Sequence, residues 1–208
     1  MKLEEIQNSK IVFFGDSITD SLKWFNEKYP YGMGFVNMFA SLLHVSYQTI
    51  NPIIYNEGIG GNKTEDLLER IQKDVLDKNP SIVVLLIGIN DVWHPVEANN
   101  KPNYDEIFDR LNTIINMIKE KSRLIILTPF LFPTDEFFSS LMPYFIELRK
   151  RFLEFINFKN LEYIDIYEKL KIVADTINNQ YVTADSVHPT SVGHAIIAQE
   201  ILYYLYEH

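Results

Sequence analysis

The run Ile82-Val83-Val84-Leu85-Leu86-Ile87 decides the fold, because it is the longest uninterrupted aliphatic stretch in the chain. It is far too short to span a bilayer, and a continuous run of Val, Ile and Leu is typical of a strand buried on both faces of a parallel sheet. Leu124–Leu127 has the same character. The two runs therefore predict central strands with helices packed on both sides of the sheet.

Shorter β-branched runs lie outward from this centre and predict three further strands. They are Ile11–Phe14, Ile50–Tyr55 and Tyr163–Ile166. Pro52 interrupts the second run, and a proline cannot donate a hydrogen bond to a neighbouring strand. This strand is therefore expected at an edge of the sheet or at a bulge.

Segments with helical spacing of apolar residues separate the strands. Two of them follow pairs that match a capping box, Asn62 with Glu65 and Asn103 with Glu106. A third helix is predicted over 141–158 and a fourth from Pro189 to the C-terminus. In the third, Phe residues recur at helical spacing and are expected in the core; they are Phe152, Phe155 and Phe158.

This alternation of strands and helices shows no internal repeat and no linker. It predicts a single domain over residues 1–208. The predicted fold class is α/β, a three-layer α/β/α sandwich around a doubly wound parallel sheet of about five strands.

Polar and glycine-rich segments follow the predicted strands, at the edge where open α/β sheets bind ligands. The carboxyl ends of parallel strands meet at one edge, so these segments are expected to lie together. Each alone is more often a turn or a helix cap, and their joint occurrence in this order favours a functional site. The segments are Gly15-Asp16-Ser17, Asn56 to Asn62, Gly88-Ile89-Asn90-Asp91, and Asp185-Ser186-Val187-His188.

The residue types in these segments suit nucleophilic catalysis. A serine hydroxyl becomes a nucleophile when a base takes its proton, and His188 is the predicted base for Ser17. Asp185 is predicted to hold the other ring nitrogen of the histidine. Attack on an ester creates an oxyanion, and the candidate donors for it are the N–H groups of Ser17 and Gly61 and the side-chain amide of Asn90.

Taken in order, the four segments resemble the sequence blocks of the SGNH or GDSL hydrolase superfamily of esterases and lipases. The blocks extend from residue 15 to residue 188, nearly the whole chain. The resemblance implies a flavodoxin-like fold and an esterase that needs neither cofactor nor metal. It also implies Ser17 as nucleophile, Gly61 and Asn90 in the oxyanion hole, and Asp185 and His188 as the other members of the triad.

Three segments are similar to the bacterial branch that includes acetylxylan esterases: Ile87–Trp93, Thr128–Phe130 and Val187–His194. This similarity implies a small-molecule ester, an acetylated saccharide, as substrate. Asp16 and Trp93 are assigned as substrate-binding residues, and Trp24 lies in a segment close to the predicted site. The chain departs from the branch at Ala184, where an aromatic residue often precedes the triad aspartate.

Composition limits the function further. The chain has 19 Lys and Arg against 28 Asp and Glu, a formal net charge of −9, and no cysteine. Thiol nucleophiles and thiolate metal sites are excluded, and the acidic balance argues against nucleic acid as a partner. The N-terminal residues lack the apolar stretch of a secretory peptide, so a cytoplasmic protein with no membrane partner is predicted.

Several alternatives stay open on the sequence alone. Outside enzymes they are a nucleotide or phosphate binder that uses Gly58–Thr64, whose glycine spacing fits neither common phosphate-binding motif, and a catalytically silent scaffold. Among enzymes, a lipase-like or lysophospholipase-like acyl hydrolase or a thioesterase is the alternative to a sugar deacetylase. His194 forms no metal-binding pair with His188 and is expected near the surface or an interface. A homo-oligomer in which a neighbouring subunit completes the pocket is also considered.

Overall fold

The computed structural model describes residues 6–23 and 30–207, which contain five β-strands in one sheet. All neighbouring strands are parallel, and their order is β2-β1-β3-β4-β5. This is the flavodoxin-like order, in which the direction of strand addition reverses between β1 and β3. The strands are β1 (Lys10–Gly15), β2 (Ile53–Gly58), β3 (Ile82–Leu86), β4 (Arg123–Leu127) and β5 (Glu162–Ile164).

All five predicted strands are present, with their bounds shifted by up to three residues. β2 is an edge strand, as Pro52 predicted, and it begins only after that proline. β5 ends at Ile164 rather than Ile166, because the Asp165 side chain accepts the Glu168 N–H and caps a helix that begins at Ile166. The predicted parallel α/β sheet is thus confirmed.

Eight α-helices lie within the described residues, and none is long and apolar enough to cross a membrane. They are α1 (Ser17–Asp20), α2 (Phe35–Ser46), α3 (Thr64–Asp74), α4 (Ile89–Glu97), α5 (Tyr104–Lys119), α6 (Glu136–Phe158), α7 (Ile166–Thr176) and α8 (Ser191–Glu207).

Two hydrophobic cores cover the two faces of the sheet and make the three layers. Side chains alternate along β1, so Ile11 and Phe13 join the core with α2, α7 and α8, while Val12 and Phe14 join the core with α3 and α5. All four side chains are fully buried, and each such burial stabilises the fold by about 1.5–3 kcal/mol. The three-layer α/β/α sandwich predicted from the sequence is therefore confirmed.

α3 begins one residue later than its predicted capping pair implied. The backbone N–H of Lys63 donates to Asp66 Oδ2 at 2.7 Å, so the capping pair is Lys63 with Asp66 and not Asn62 with Glu65. The Asn62 side chain instead accepts from Arg70 Nε at 2.7 Å. The capping pair of Asn103 with Glu106 is confirmed at the start of α5.

The predicted core residues of α6 differ in their burial. Phe152 is buried, as expected, and Phe155 packs at the margin of the same core. Phe158 is 86% exposed, so the prediction of a core position is wrong there. The reason is that Phe158 is the last residue of the helix and lies two positions after Ile156, the last buried residue, which places it on a different face of the helix.

Candidate active site

The candidate site lies at the carboxyl edge of the sheet, beside β1 and β3. Ser17 begins α1 directly after β1, and Asn90 lies in the first turn of α4 directly after β3. The next long helices, α2 and α5, pack on opposite faces of the sheet. A crevice opens between such connections, and it is where open α/β sheets bind ligands.

Ser17, His188 and Asp185 form one chain of hydrogen bonds. Ser17 Oγ lies 2.8 Å from His188 Nε2, and His188 Nδ1 lies 2.7 Å from Asp185 Oδ2. Asp185 Oδ1 also accepts the backbone N–H of His188 at 2.8 Å. When the hydroxyl donates to Nε2, Nδ1 carries the proton and donates to the aspartate. The structure thus brings together the three residues that the sequence assigned to a triad.

The Asp185 carboxylate remains charged although it lies in a folded loop. Burial raises its pKa, but the hydrogen bonds from the backbone and the ring of His188 outweigh burial, and the net pKa lies below the ordinary value of 3.8. Its side chain is 54% exposed and that of His188 is 37% exposed. An anionic carboxylate at this position can hold the imidazole and stabilise the imidazolium that forms when Ser17 loses its proton.

Three hydrogen-bond donors at this edge of the sheet are not fully used. Ser17 is the first residue of α1, so its N–H has no acceptor within that helix. The Gly61 N–H has no acceptor within residues 6–23 and 30–207. Asn90 Nδ2 donates to the backbone oxygen of Asn62 at 3.0 Å, which uses one of its two N–H bonds. These are the three donors that the sequence assigned to the oxyanion hole.

Backbone conformation and crowding explain two glycines of residues 58–64, the segment called the glycine loop below. Gly61 has φ +78°, in the left-handed region that strains other residues, and a Cβ there would meet nothing closer than His94 Cε1 at 3.8 Å. Gly61 is therefore required by its backbone conformation rather than by crowding. Gly58 differs, because a Cβ there would lie 2.1 Å from the backbone nitrogen of Asp20. The absence of a Cβ at Gly58 lets the end of β2 pack against α1.

Asp91 ties the glycine loop to α4, although the sequence assigned it no role. Its Oδ1 accepts the Thr64 hydroxyl at 2.6 Å, and both carboxylate oxygens lie 3.1 Å from the Thr64 backbone nitrogen. Burial raises the pKa of Asp91 to about 6, against the lowering effect of the Thr64 bonds. Together with the bond from Asn90 to Asn62, this contact fixes the position of Gly61 relative to Asn90.

Asp16 lies beneath the nucleophile and not on a surface that a substrate could reach. It is completely buried, and its Oδ1 caps α1 by accepting the Ile18 N–H at 2.9 Å. Its Oδ2 has no hydrogen-bond partner within the described residues. Asp16 was predicted to bind substrate, but its side chain has no exposed surface with which to do so. The structure places it as the cap of α1 instead.

We expect Asp16→Asn to stabilise the fold more at high pH than at low pH. Burial raises the pKa of Asp16 from 3.8 to about 7, so between these values the folded chain holds a proton that the unfolded chain has lost. The free energy of unfolding of the wild type therefore falls as pH rises through this range. An asparagine still caps Ile18 through Oδ1 but has no proton to lose. Urea unfolding at about pH 5 and about pH 8 measures the difference.

Asp109→Asn is the matched control, because Asp109 is exposed on α5. It should change stability equally at both pH values. An Asp16→Asn effect that does not grow with pH would contradict a buried, protonated carboxyl.

Trp93 forms part of the wall beside the triad. Its ring centre lies 6.5 Å from that of His188 and 4.9 Å from that of Phe138, both in edge-on contacts. It is partly exposed, which leaves its assignment as a substrate-binding residue a prediction. Trp24, the other tryptophan near the predicted site, lies outside the described residues.

A cavity of about 460 Å³ opens beside the nucleophile. Its lining residues are Ser17, Ile18, Asp20, Ser21, Leu22, Gly60, His188, Pro189 and His194. His194 was expected near the surface or an interface, but it is only 8% exposed in the single chain, so the prediction of a surface position is wrong. Its ring stacks on Phe35 and accepts the Phe35 N–H at 3.1 Å, because the first turn of α8 packs against the start of α2.

The geometry of the glycine loop does not suit phosphate binding. Most of its backbone N–H groups donate to protein acceptors, whereas a phosphate loop points several at one anion. The donors already used are those of Gly58, Ile59, Asn62, Lys63 and Thr64. The Lys63 ammonium is paired with Glu65. Across the described ranges, no group of three or more His, Asp or Glu side chains is placed to hold a metal ion.

Comparison with known proteins identifies the class. The chain belongs to the GDSL-like lipase/acylhydrolase family, whose model matches residues 13–196. It is therefore a carboxylic ester hydrolase, and the two non-enzyme alternatives are excluded as its primary function.

Individual relatives agree with this family over nearly the whole chain. An acetylxylan esterase of Geobacillus stearothermophilus is 29% identical over 204 residues, which cover 93% of this chain and 92% of that protein. A structure from Parabacteroides merdae, assigned as a GDSL-like lipase, superposes with a TM-score of 0.87 at 27% identity and 98% coverage of both chains. The structure of Axe2, an acetylxylan esterase from Geobacillus stearothermophilus, has a TM-score of 0.80 at 28% identity and covers 98% of this chain and 95% of its own.

Proposed function

We propose that this protein is a serine esterase that hydrolyses short-chain carboxylic esters through an acyl-enzyme, and that its substrates are acetylated sugars or xylo-oligosaccharides. The observation that carries the proposal is the unbroken chain of hydrogen bonds from Ser17 Oγ through His188 to Asp185, at the mouth of a cavity. A serine outside such a chain is a poor nucleophile.

In the acylation step, Ser17 Oγ attacks the carbonyl carbon while its proton moves to His188 Nε2. The negative charge that develops on the carbonyl oxygen is stabilised by the N–H groups of Ser17 and Gly61 and the second amide N–H of Asn90. The tetrahedral intermediate then expels the alcohol, which takes the proton from His188. The result is an acyl group on Ser17 and a free alcohol.

Deacylation repeats these events with water in place of the serine. His188 takes a proton from a water molecule while the water oxygen attacks the acyl carbon, and the same donors stabilise the second oxyanion. The bond to Ser17 Oγ breaks, and the serine regains its proton from His188. The carboxylic acid leaves. Each cycle consumes one ester and one water molecule and releases one alcohol and one carboxylic acid.

Three features support an acetylated sugar over a long-chain lipid as the substrate. The cavity of about 460 Å³ lies in the range of small-molecule sites and has polar as well as apolar lining residues. The formal net charge of −9 suits a neutral substrate better than an anionic phospholipid surface. The similarity to acetylxylan esterases extends over most of the chain.

A substrate panel tests this proposal. We expect kcat/KM to be highest for p-nitrophenyl acetate, lower for the butyrate and at least about 10-fold lower for the octanoate, because a cavity of about 460 Å³ that also takes the sugar leaves limited room for added methylenes. Acetate should also be released from acetylated xylo-oligosaccharides. Wild-type protein and Ser17→Ala are prepared in parallel, so that hydrolysis by contaminants is subtracted. Preference for the octanoate without acetate release from the sugars would favour the lipase-like alternative.

Location and assembly stay predictions. The cytoplasmic location and the homo-oligomer considered from the sequence are not needed for the proposed chemistry, since the three triad residues come from one chain.

A further inference from the structure

The protonation state of His194 is fixed by a backbone contact. The Phe35 backbone N–H donates to His194 Nδ1 at 3.1 Å, so Nδ1 must offer its lone pair. In a neutral imidazole the proton then lies on Nε2, and that nitrogen is a donor. His194 therefore presents a permanent N–H group on the side of its ring opposite to Phe35.

The ring also stays neutral. Burial, together with the nearby charge of His188, lowers the pKa of His194 from 6.5 to about 4. A second proton would have to enter at Nδ1, where the Phe35 N–H already points. The triad chain does not include His194, so its buried N–H is available for a role that catalysis leaves open.

The Nε2 side of His194 faces the cavity beside the nucleophile. Nε2 lies 3.5 Å from Ser21 Oγ, at the limit of a hydrogen bond, and both residues line the cavity. A contact this long leaves both groups with capacity for a better partner. Asp20 also lines the cavity and adds a carboxyl group to it.

The cavity is amphipathic, because apolar residues line it beside these polar groups. Ile18, Leu22 and Pro189 contribute apolar surface, and Leu22 is 48% exposed. A sugar ring is amphipathic in the same way, with C–H groups on its faces and hydroxyls at its edge. An alkyl chain would match the apolar residues but would leave the His194 N–H and the Ser21 hydroxyl with only their long contact to each other, which costs binding energy.

We propose that His194 and Ser21 form a hydroxyl-recognition subsite, in which the His194 Nε2–H donates to a free hydroxyl oxygen on the alcohol part of the ester. The inference rests on the proposed function and deepens it, because it names the side chains that distinguish the ester of a hydroxylated alcohol from the ester of a simple alcohol. His194 is a specificity-determining residue in this account and takes no part in the proton transfers of Ser17.

The test compares two small acetates that differ by one hydroxyl, ethylene glycol monoacetate and ethyl acetate. The wild type should hydrolyse the glycol ester with a kcat/KM about 2- to 13-fold higher, the range expected for one neutral hydrogen bond. In His194→Asn the ratio of the two kcat/KM values should fall toward 1, because the loss falls on the glycol ester more than on ethyl acetate. Asparagine is chosen because its Oδ1 can still accept the Phe35 N–H, although it lacks the reach of Nε2.

Two further variants keep the test decisive. His44→Asn is the matched control, since His44 is an exposed residue of α2, and it should leave the preference unchanged. Ser21→Ala removes the second group of the subsite without touching the Phe35 contact and should reduce the preference even if His194→Asn fails to fold. Thermal unfolding of each variant checks the fold.

The outcomes separate this inference from the proposed function. A wild type that is active on p-nitrophenyl acetate but does not prefer the glycol ester contradicts the subsite and leaves the serine esterase intact. An inactive wild type contradicts the esterase itself. An equal loss on all esters in His194→Asn would mean that the residue supports the fold of the site, and it would also overturn the inference.

Discussion

Replacing Ser17 by alanine should lower kcat for p-nitrophenyl acetate by roughly 10⁴- to 10⁶-fold, the largest effect expected from any single substitution in this chain. The reason is that Ser17 Oγ is the atom that forms the acyl bond, and within the described residues it is the one hydroxyl bonded to His188 Nε2, at 2.8 Å. Binding and the oxyanion donors remain, so the residual rate should still exceed the rate in water.

The fold should tolerate this change. Alanine keeps the Cβ of Ser17 and has a higher helix propensity than serine, and Asp16 still caps α1. Ser41→Ala, on an exposed position of α2, is the control and should keep full activity. A Ser17→Ala protein that folds normally and turns over within about 10-fold of the wild type would contradict the nucleophile assignment.

The second large effect is expected for Asn90→Ala. Its side-chain amide is the donor that a substitution can remove, since the other two are backbone groups, and we expect kcat to fall by about 10²- to 10³-fold. KM should change little, because the amide acts on charge that exists only in the transition state. Steady-state kinetics on p-nitrophenyl acetate separates the two parameters.

Asn90 also holds the glycine loop, so the variant must be distinguished from one that only loosens the site. Its Nδ2 donates to the Asn62 backbone oxygen at 3.0 Å, but the contact of Asp91 with Thr64 remains to tie the loop to α4. Asn100→Ala, at an exposed position after α4, is the control. A rise in KM with an unchanged kcat would mean that Asn90 binds substrate and does not stabilise the oxyanion.

The sheet could be predicted because its signals are local in the sequence. Ile82–Ile87 and Leu124–Leu127 are continuous aliphatic runs, and burial on both faces requires such runs. The boundaries were harder to predict, because a cap depends on a single side chain. The apolar pattern alone predicted a strand that continues to Ile166, whereas the Asp165 side chain caps α7, which begins at Ile166. α2 was missed although Phe35, Val36 and Phe39 have helical spacing, since Gly34 provides no capping side chain.

The site divides in the same way between local and tertiary information. Ser17, Asp185 and His188 could be assigned because each lies in a short segment of distinctive composition after a strand or before a helix. The role of Asp91 could not, because it depends on a contact with Thr64, 27 positions earlier in the sequence. His194 illustrates the same limit: only the packing of α8 against α2 buries it and fixes its proton.

The measurement that tests the central claim most directly is covalent trapping with a p-nitrophenyl alkylphosphonate, which reacts with an activated serine to give a stable analogue of the tetrahedral intermediate. The released nitrophenolate counts the reactive sites, and peptide mass mapping locates the adduct. We predict one adduct per chain, on the peptide that contains Ser17, with loss of esterase activity in proportion to labelling. Activity that survives full labelling of Ser17, or an inactivating adduct on another residue, would contradict the account.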